Sequence, residues 1–232
     1  MDTPSQYRGY RFPPELISHS VWLYHRFCLS FRDVEDLLAE RGVIVSYEAI
    51  RQWCKKFGPG YANTLRKRAG RLGHTWLLDE VNIVSIQGGR HYLWRAVDQD
   101  SNVIDILVQK RKDKRAAIRF FRKMLKHQGQ SPRRMVTDKL PSYGAAKNEL
   151  MPSVVHCRDR YANNRAEASH QHTRQHERRM RRFKSPGQAQ RFLSVEAQVH
   201  NLFRVGRHLM RAAHYRVFRA RSFATWDVVT CA

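Results

Sequence analysis

The sequence predicts an α/β fold, with a mixed five-stranded sheet flanked by helices and preceded by a small all-α domain. Three observations lead there. Residues 14–57 carry apolar side chains at helical spacing, residues 75–108 hold three strand-like runs in succession, and residues 113–215 alternate patterns in the order α, β, α, β, α, α. At 232 residues the chain can bury one sizeable core plus a helical appendage, and its 42% hydrophobic and 11% aromatic content is that of a folded protein.

In the first segment, Ile17, Val21, Tyr24 and Phe27 form one stripe of a helix over 14–27, opened by Pro14. Ser30 and Asp33 have capping-box spacing, and Phe31, Val34, Leu37 and Leu38 supply the inner face of a second helix that stops at Arg41-Gly42. Ser46 caps a third helix with Ala49, Ile50, Trp53 and Phe57 inside and Gly58-Pro59 as its stop. Its outer face holds Tyr47, Arg51, Gln52, Lys55 and Lys56. Two short helices joined by a glycine turn, the second with a basic, amide-bearing face, fit a helix-turn-helix whose second helix enters the major groove, where Arg51 and Gln52 can read base edges. A helical hairpin with a solvated basic face has the same shape, and the overall charge favours the DNA-binding alternative.

Residues 61–73 are basic and turn-rich, and read as a linker between a domain at 1–60 and one at 74–215, with a tail at 216–232. Strand patterns cover 75–86, 91–97 and 103–108, joined by a hairpin turn at Gln87-Gly88-Gly89-Arg90 and a turn at 98–102, where Asp98 and Asp100, with nearby Asp105, are expected to be solvated. Residues 113–127 form an amphipathic helix with Ala117, Phe120, Phe121, Met124 and Leu125 inward. A strand at 134–137, a helix at 142–150, a strand at 154–157 and helices at 164–183 and 186–215 complete the order; Phe192, Val195, Val199, Leu202 and Leu209 lie on the last stripe. Trp22, Trp53, Trp76 and Trp94 fall within apolar patterns and read as core.

Lys and Arg number 43 against 20 Asp and Glu, a formal charge of +23 that calls for a polyanionic partner. No apolar run approaches the roughly 20 residues that span a bilayer, and residues 1–10 lack a signal-peptide core, so double-stranded DNA and a cytoplasmic location are expected, with no membrane partner. Cys28, Cys54, Cys157 and Cys231 are far apart, form no CxxC pair, and read as reduced, largely buried thiols. His172 and His176 have an i, i+4 spacing that can bind zinc, but no HExxH pattern accompanies them, and phosphate contact or exposure is expected for them and for His170.

An antiparallel meander extended by strands arriving through helical crossovers sets the first strand beside the fourth, the ribonuclease H-like arrangement. Asp79 lies in the first strand, within Trp76-Leu77-Leu78-Asp79-Glu80-Val81, and Asp138 ends the fourth, so the two acids become neighbours. A carboxylate in an apolar strand is costly to bury without compensation, and a divalent cation supplies it. Glu167, near the start of a helix, can close the site, and three carboxylates can hold two Mg²⁺ ions, or Mn²⁺ in their place. Each acid has a plainer role when taken alone: Glu167 a helix-start acid, Asp138 a helix cap, Asp79 a strand acid paired with arginine. Glu80 rivals Asp79, but strand alternation sends it to the opposite face.

These residues also resemble the DDE transposases of bacterial insertion sequences, most closely the insertion-sequence-six family. The resemblance spans nearly the whole chain and is carried by Ser30-Phe31-Arg32-Asp33-Val34-Glu35-Asp36-Leu37-Leu38, Trp76-Leu77-Leu78-Asp79-Glu80, His91-Tyr92-Leu93-Trp94-Arg95-Ala96-Val97-Asp98, Thr137-Asp138-Lys139, Asn163-Asn164-Arg165-Ala166-Glu167 and Arg182-Phe183-Lys184-Ser185. It implies that Asp79, Asp138 and Glu167 are the catalytic triad, and that Arg174, seven residues after Glu167, holds a DNA phosphate from the same helix face. The Asp138 to Glu167 interval is a few residues shorter than the family's usual one, with the missing segment falling at 147–152.

The implied activity is cleavage at terminal inverted repeats and transfer of the freed 3′-hydroxyls to target DNA, by an oligomer of at least two subunits. The expected DNA contacts are Arg51, Gln52, Lys55, Lys139, Arg174, Arg178, Arg181 and Lys184. An inactive relative that binds the same ends and inhibits transposition is the alternative.

Overall fold

The computed structural model describes residues 5–69, 72–86, 89–159, 163–179, 183–206 and 209–231, with the backbone alone described at 5, 83–86, 164, 165, 167–169, 172 and 231. The chain forms two units, one made of Met1–Arg68 with Val195–Ala232 and the other of Ala69–Ser194.

In the helical unit, elements being numbered in chain order, Pro14–Arg26 is α1, Phe31–Ala39 is α2 and Tyr47–Ala69 is α3. Both halves of the Ser30/Asp33 capping box form: Asp33 N donates to Ser30 Oγ at 3.1 Å and Ser30 N to Asp33 Oδ2 at 2.7 Å. Gly42, at φ 75°, turns the chain after α2 while Val43 N donates back to the Leu38 carbonyl, which leaves few side chains other than glycine suited to that position. Ser46 Oγ accepts from Ala49 N at 3.3 Å to start α3.

Two expectations fail in this unit. Helix α3 does not stop at Gly58-Pro59 but runs through Pro59 to Ala69, so the expected linker is helical over 61–69. Proline removes one backbone donor, yet the buried stripe Ile50, Trp53, Cys54, Phe57 continues as Tyr61, Ala62 and Leu65, and that burial outweighs the lost hydrogen bond. At the other end, the helix expected over 186–215 divides into α7, Pro186–Phe203, and α8, Ala212–Cys231, so the expected tail is helical and Leu209 is exposed rather than on a buried stripe. Helix α8 belongs to the core of the helical unit. Trp226 packs on Tyr61 and Phe203, Ser222 Oγ donates to the Leu202 carbonyl at 2.8 Å, Gln6 Nε2 donates to the Thr230 carbonyl at 2.8 Å, and the Tyr7 hydroxyl meets Tyr61 and Thr230.

The second unit carries β1 (Thr75–Ile86), β2 (Gly89–Asp98), β3 (Val103–Gln109), α4 (Lys114–Gln128), β4 (Arg134–Thr137), α5 (Pro141–Leu150), β5 (Val155–Cys157) and α6 (Asn164–Arg179), followed by the start of α7. The sheet order is β3-β2-β1-β4-β5, with β1, β2 and β3 antiparallel and β4 and β5 parallel to β1 and β4 respectively. This is the ribonuclease H-like arrangement, and it sets β1 beside β4. Part of the hairpin turn, residues 87–88, lies outside the described residues.

Alternation along β1 assigns its side chains to two faces. Trp76 and Leu78 join Trp94, Ala96 and Ile104 against Ala117, Phe120, Phe121 and Met124 of α4 and Tyr143 and Ala146 of α5. Residues of the other parity face α6. Asp98 and Asp105, expected to be solvated, are buried instead. Asp98 accepts from the Asp100 and Asn102 amides and so builds its own turn, while Asp105 is held by His127 Nδ1 at 2.6 Å and Lys123 Nζ at 2.9 Å from α4. Trp53, Trp76 and Trp94 are core, Trp22 is only partly buried, and among the described cysteines Cys54 is buried while Cys28 and Cys157 are half-buried.

Candidate active site

Strand pairing delivers the first two acids to one place. The last β1–β4 rung joins Leu78 to Thr137, so Asp79 and Asp138 each stand one residue beyond it, where β4 has ended and β1 continues. Thr137 is fully buried and its hydroxyl meets the Asp138 carbonyl at 2.7 Å and His156 Nε2 at 2.8 Å, which fixes the end of β4. Asp138 itself is exposed, and its Oδ1 accepts from Leu140 N at 3.0 Å as the chain turns into α5.

Glu80 comes to the same place. Carboxylate oxygens of Asp79, Glu80 and Asp138 all lie within 4.8 Å of one another. The expectation that alternation removes Glu80 from the site is therefore corrected. Alternation does turn Asp79 toward α6 and Glu80 toward α5, but no β4 backbone separates the two faces beyond Thr137, and the longer Glu side chain reaches around that end. Glu80 has Lys112 Nζ 3.6 Å from Oε1, and its own side chain is 3% exposed. Burial, followed by the charge of Asp138, pushes its pKa up to about 7, although the nearby Tyr143 hydroxyl pulls it partly back. The buried Tyr143 hydroxyl is itself pushed well above its ordinary value, first by burial and then by Glu80.

Helix α6 is laid on the sheet by a buried, largely polar stripe at helical spacing, Asn163, His170 and Thr173 with the small Ala166 among them. Asn163 Nδ2 donates to the Leu78 carbonyl at 2.8 Å, one residue before Asp79. His170 Nε2 stands 3.3 Å from Asp79 Oδ2, and Thr173 Oγ1 accepts from the buried Arg95 guanidinium at 2.8 Å. Burial lowers the His170 pKa, with Arg95 adding to the effect and Asp79 opposing it. The expectation of exposure thus fails for His170 and for His176, which is also buried; the His172 side chain lies outside the described residues. Sequence reasoning gave Asn163, Arg95 and Thr173 no role at the site, and for His170 it expected phosphate contact or exposure. Its available signal was the run of polar residues at spacings of three and four on a helix otherwise rich in charge.

The backbone of α6 places Glu167 one turn before His170, on the helix that crosses Asp79; its side chain is outside the described residues. Arg174 lies two turns further along and is exposed, as are Arg178, Lys139 and Lys184, while Arg181 lies outside the described residues. In the helical unit Arg51, Gln52 and Lys55 are exposed on α3. Glu48 engages two of them: Arg51 donates to both of its oxygens, at 2.6 and 2.7 Å, and Gln52 Nε2 donates at 3.2 Å.

The donor set fits a hard divalent cation. Three carboxylates converge with one ammonium near them, and oxygen-only ligation of this kind suits Mg²⁺ or Mn²⁺ rather than a soft metal. Among the described residues no helix is long and apolar enough to cross a membrane.

A family model described as a DDE domain matches residues 73–206. The transposase of insertion sequence-like element IS431mec from Staphylococcus aureus is 30% identical over 171 residues, covering 72% of this chain and 75% of that protein. The transposase of insertion sequence element IS257 in transposon Tn4003, also from Staphylococcus aureus, matches with the same identity and coverage. Among solved structures, the Mos1 transposase catalytic domain is similar at 16% identity and TM-score 0.42, covering 71% of this chain and 94% of that one. The HTLV-2 integrase catalytic core is similar at 14% identity and TM-score 0.43, covering 62% and 93%. Strand order and direction, not these distant likenesses, define the fold. With the family match spanning more than half its length, the chain belongs to the DDE transposases of the insertion-sequence-six family, metal-dependent enzymes that cut DNA and transfer its strands.

Proposed function

We propose that this transposase cuts DNA at the terminal inverted repeats of its element and joins the freed ends to target DNA, with Asp79, Asp138 and Glu167 as the carboxylates of the reacting centre. The observation that carries this reading is the meeting of Asp79 and Asp138 just beyond the last β1–β4 rung, with α6, the helix of Glu167, held beside them by Asn163 and His170. When bound, two Mg²⁺ ions would supply Lewis-acid activation of the attacking oxygen and charge stabilisation of the leaving one.

The protein's own groups position the substrate. Arg174, with Lys139, Arg178, Arg181 and Lys184, holds the DNA backbone beside the carboxylates, and guanidinium pairing with phosphate oxygens orients the scissile bond. The site offers no protein nucleophile; a water and then a 3′-hydroxyl attack phosphorus in line, and positioning with charge stabilisation carries the rate. Helices α2 and α3 act as a helix-turn-helix, with Arg51, Gln52 and Lys55 toward the repeat. Two or more copies pair the element's ends, working on DNA in the cytoplasm.

Strand transfer of a labelled terminal-repeat duplex in Mg²⁺ tests this. Asp79→Asn, Asp138→Asn and Glu167→Gln are each expected to lower joining about 10²-fold or more while leaving end binding intact. A triad variant that still joins ends at the wild-type rate would place the reacting centre elsewhere. Wild-type protein that binds ends without ever cutting them would make this copy an inhibitor rather than an enzyme.

A further inference from the structure

The DDE pattern leaves Glu80 without a role, although its carboxylate is gathered with those of Asp79 and Asp138 to within 4.8 Å. We propose that Glu80 is a further metal ligand of this enzyme, reaching a divalent cation shared with Asp138 and Asp79 from the α5 side of the sheet. The inference rests on the reading that Asp79 and Asp138 hold metal, and extends it to a residue outside the triad.

Two independent observations support it. The first is the convergence itself, which β4 permits by ending at Thr137. The second is an unsatisfied buried atom. The Glu80 side chain is 3% exposed and its Oε2 has no hydrogen bond of ordinary geometry among the described residues, although the fully buried Tyr143 hydroxyl lies near enough to act on its carboxyl. Its ion pair is a loose one, from the half-exposed Lys112 to Oε1 at 3.6 Å.

Buried carboxylate oxygens are almost always satisfied, and an orphan costs free energy that the fold must recover elsewhere. One distant ammonium at Glu80 and one buried imidazole at Asp79 do not balance three gathered carboxylates, whereas a hard divalent ion at ordinary oxygen–metal distances satisfies the orphan and the mutual repulsion together. The rival role is a structural carboxylate held only by Lys112 and Tyr143. It predicts that metal binding does not depend on Glu80.

The test is Mn²⁺ binding to the full chain without DNA, followed by calorimetry and by the electron paramagnetic resonance signal of free Mn²⁺, for wild type, Glu80→Gln, Glu80→Asp and Asp138→Asn. Circular dichroism checks the fold of each. Glu80→Gln is expected to bind Mn²⁺ about tenfold or more weakly, and Glu80→Asp, which keeps the charge on a shorter stem, to fall between it and wild type. Unchanged affinity in Glu80→Gln, with binding lost in Asp138→Asn, would overturn the role of Glu80 and leave the triad reading standing. Unchanged affinity in both would overturn the two together. Should Glu80→Gln fail to fold, Glu80→Asp decides: several-fold weaker binding supports the ligand, and wild-type binding refutes it.

Discussion

Replacing Asn163 by Ala isolates the contact that seats α6 against the strand of Asp79. Asn163 is 3% exposed and its Nδ2 donates to the Leu78 carbonyl at 2.8 Å. Truncation loses one buried hydrogen bond and strands part of a buried carbonyl, a cost of about 1–3 kcal/mol. It removes little apolar contact, so a cavity adds little to that figure. The start of α6 then loses its polar tether one turn before Glu167, and a displacement near 1 Å at a reacting carboxylate is enough for a loss of roughly 10²-fold in rate. Urea unfolding of the full chain measures the first quantity and Mg²⁺-dependent strand transfer the second, with end binding as the control. Strand transfer within twofold of wild type, in a variant that has lost the stability, would refute the positioning role. An unchanged unfolding free energy would refute the hydrogen-bond argument itself.

Other consequences are open to measurement. Burial alone would raise the Asp105 pKa, but the His127 hydrogen bond and the Lys123 ammonium overcome it and hold the group below its usual 3.8. The stabilisation is therefore present above that ordinary value and lost as pH falls through the lower folded one; Asp105→Asn should cost about 2–4 kcal/mol at neutral pH, less than a fully buried pair because its partners are partly exposed, and a flat difference in unfolding free energy down to acid pH would be contrary evidence. Glu48→Ala releases Arg51 and Gln52 and removes a charge that repels phosphate, so end binding measured by fluorescence anisotropy should tighten several-fold at low salt; equal affinity would mean that this face of α3 is not on the DNA. Pro59→Ala restores a donor inside α3 and should raise stability by about 1–3 kcal/mol, while a lowered unfolding midpoint would show that packing requires the proline.

Much of this fold could be read from local pattern. Residues 75–86 and 134–137 were legible as strands because their apolar content and flanking turns agree, and the order of strands and crossovers then brought Asp79 to Asp138. The course of α3 was harder to read because Gly58-Pro59 is a strong local stop signal, and only the apolar residues beyond it outweigh that signal. Asp98 and Asp105 looked solvated because their compensating partners are an adjacent turn in one case and a helix some twenty residues later in the other. Glu80 was misplaced for a geometric reason: alternation states which face a side chain leaves from, not whether the neighbouring strand is still present to divide the faces.

Helices far apart in the chain share a core, since Tyr61 of α3 packs on Trp226 of α8 and the Tyr7 hydroxyl meets both Tyr61 and the Thr230 carbonyl. Synthesis must therefore run through α8 before α1 and α3 have their complete packing. A gene fragment stopping after residue 194 would encode every proposed catalytic acid and yet lack the wall against which α1 and α3 settle. Loss of residues 195–232 should therefore be felt first by helices far earlier in the chain, and not by the strands that carry Asp79 and Asp138.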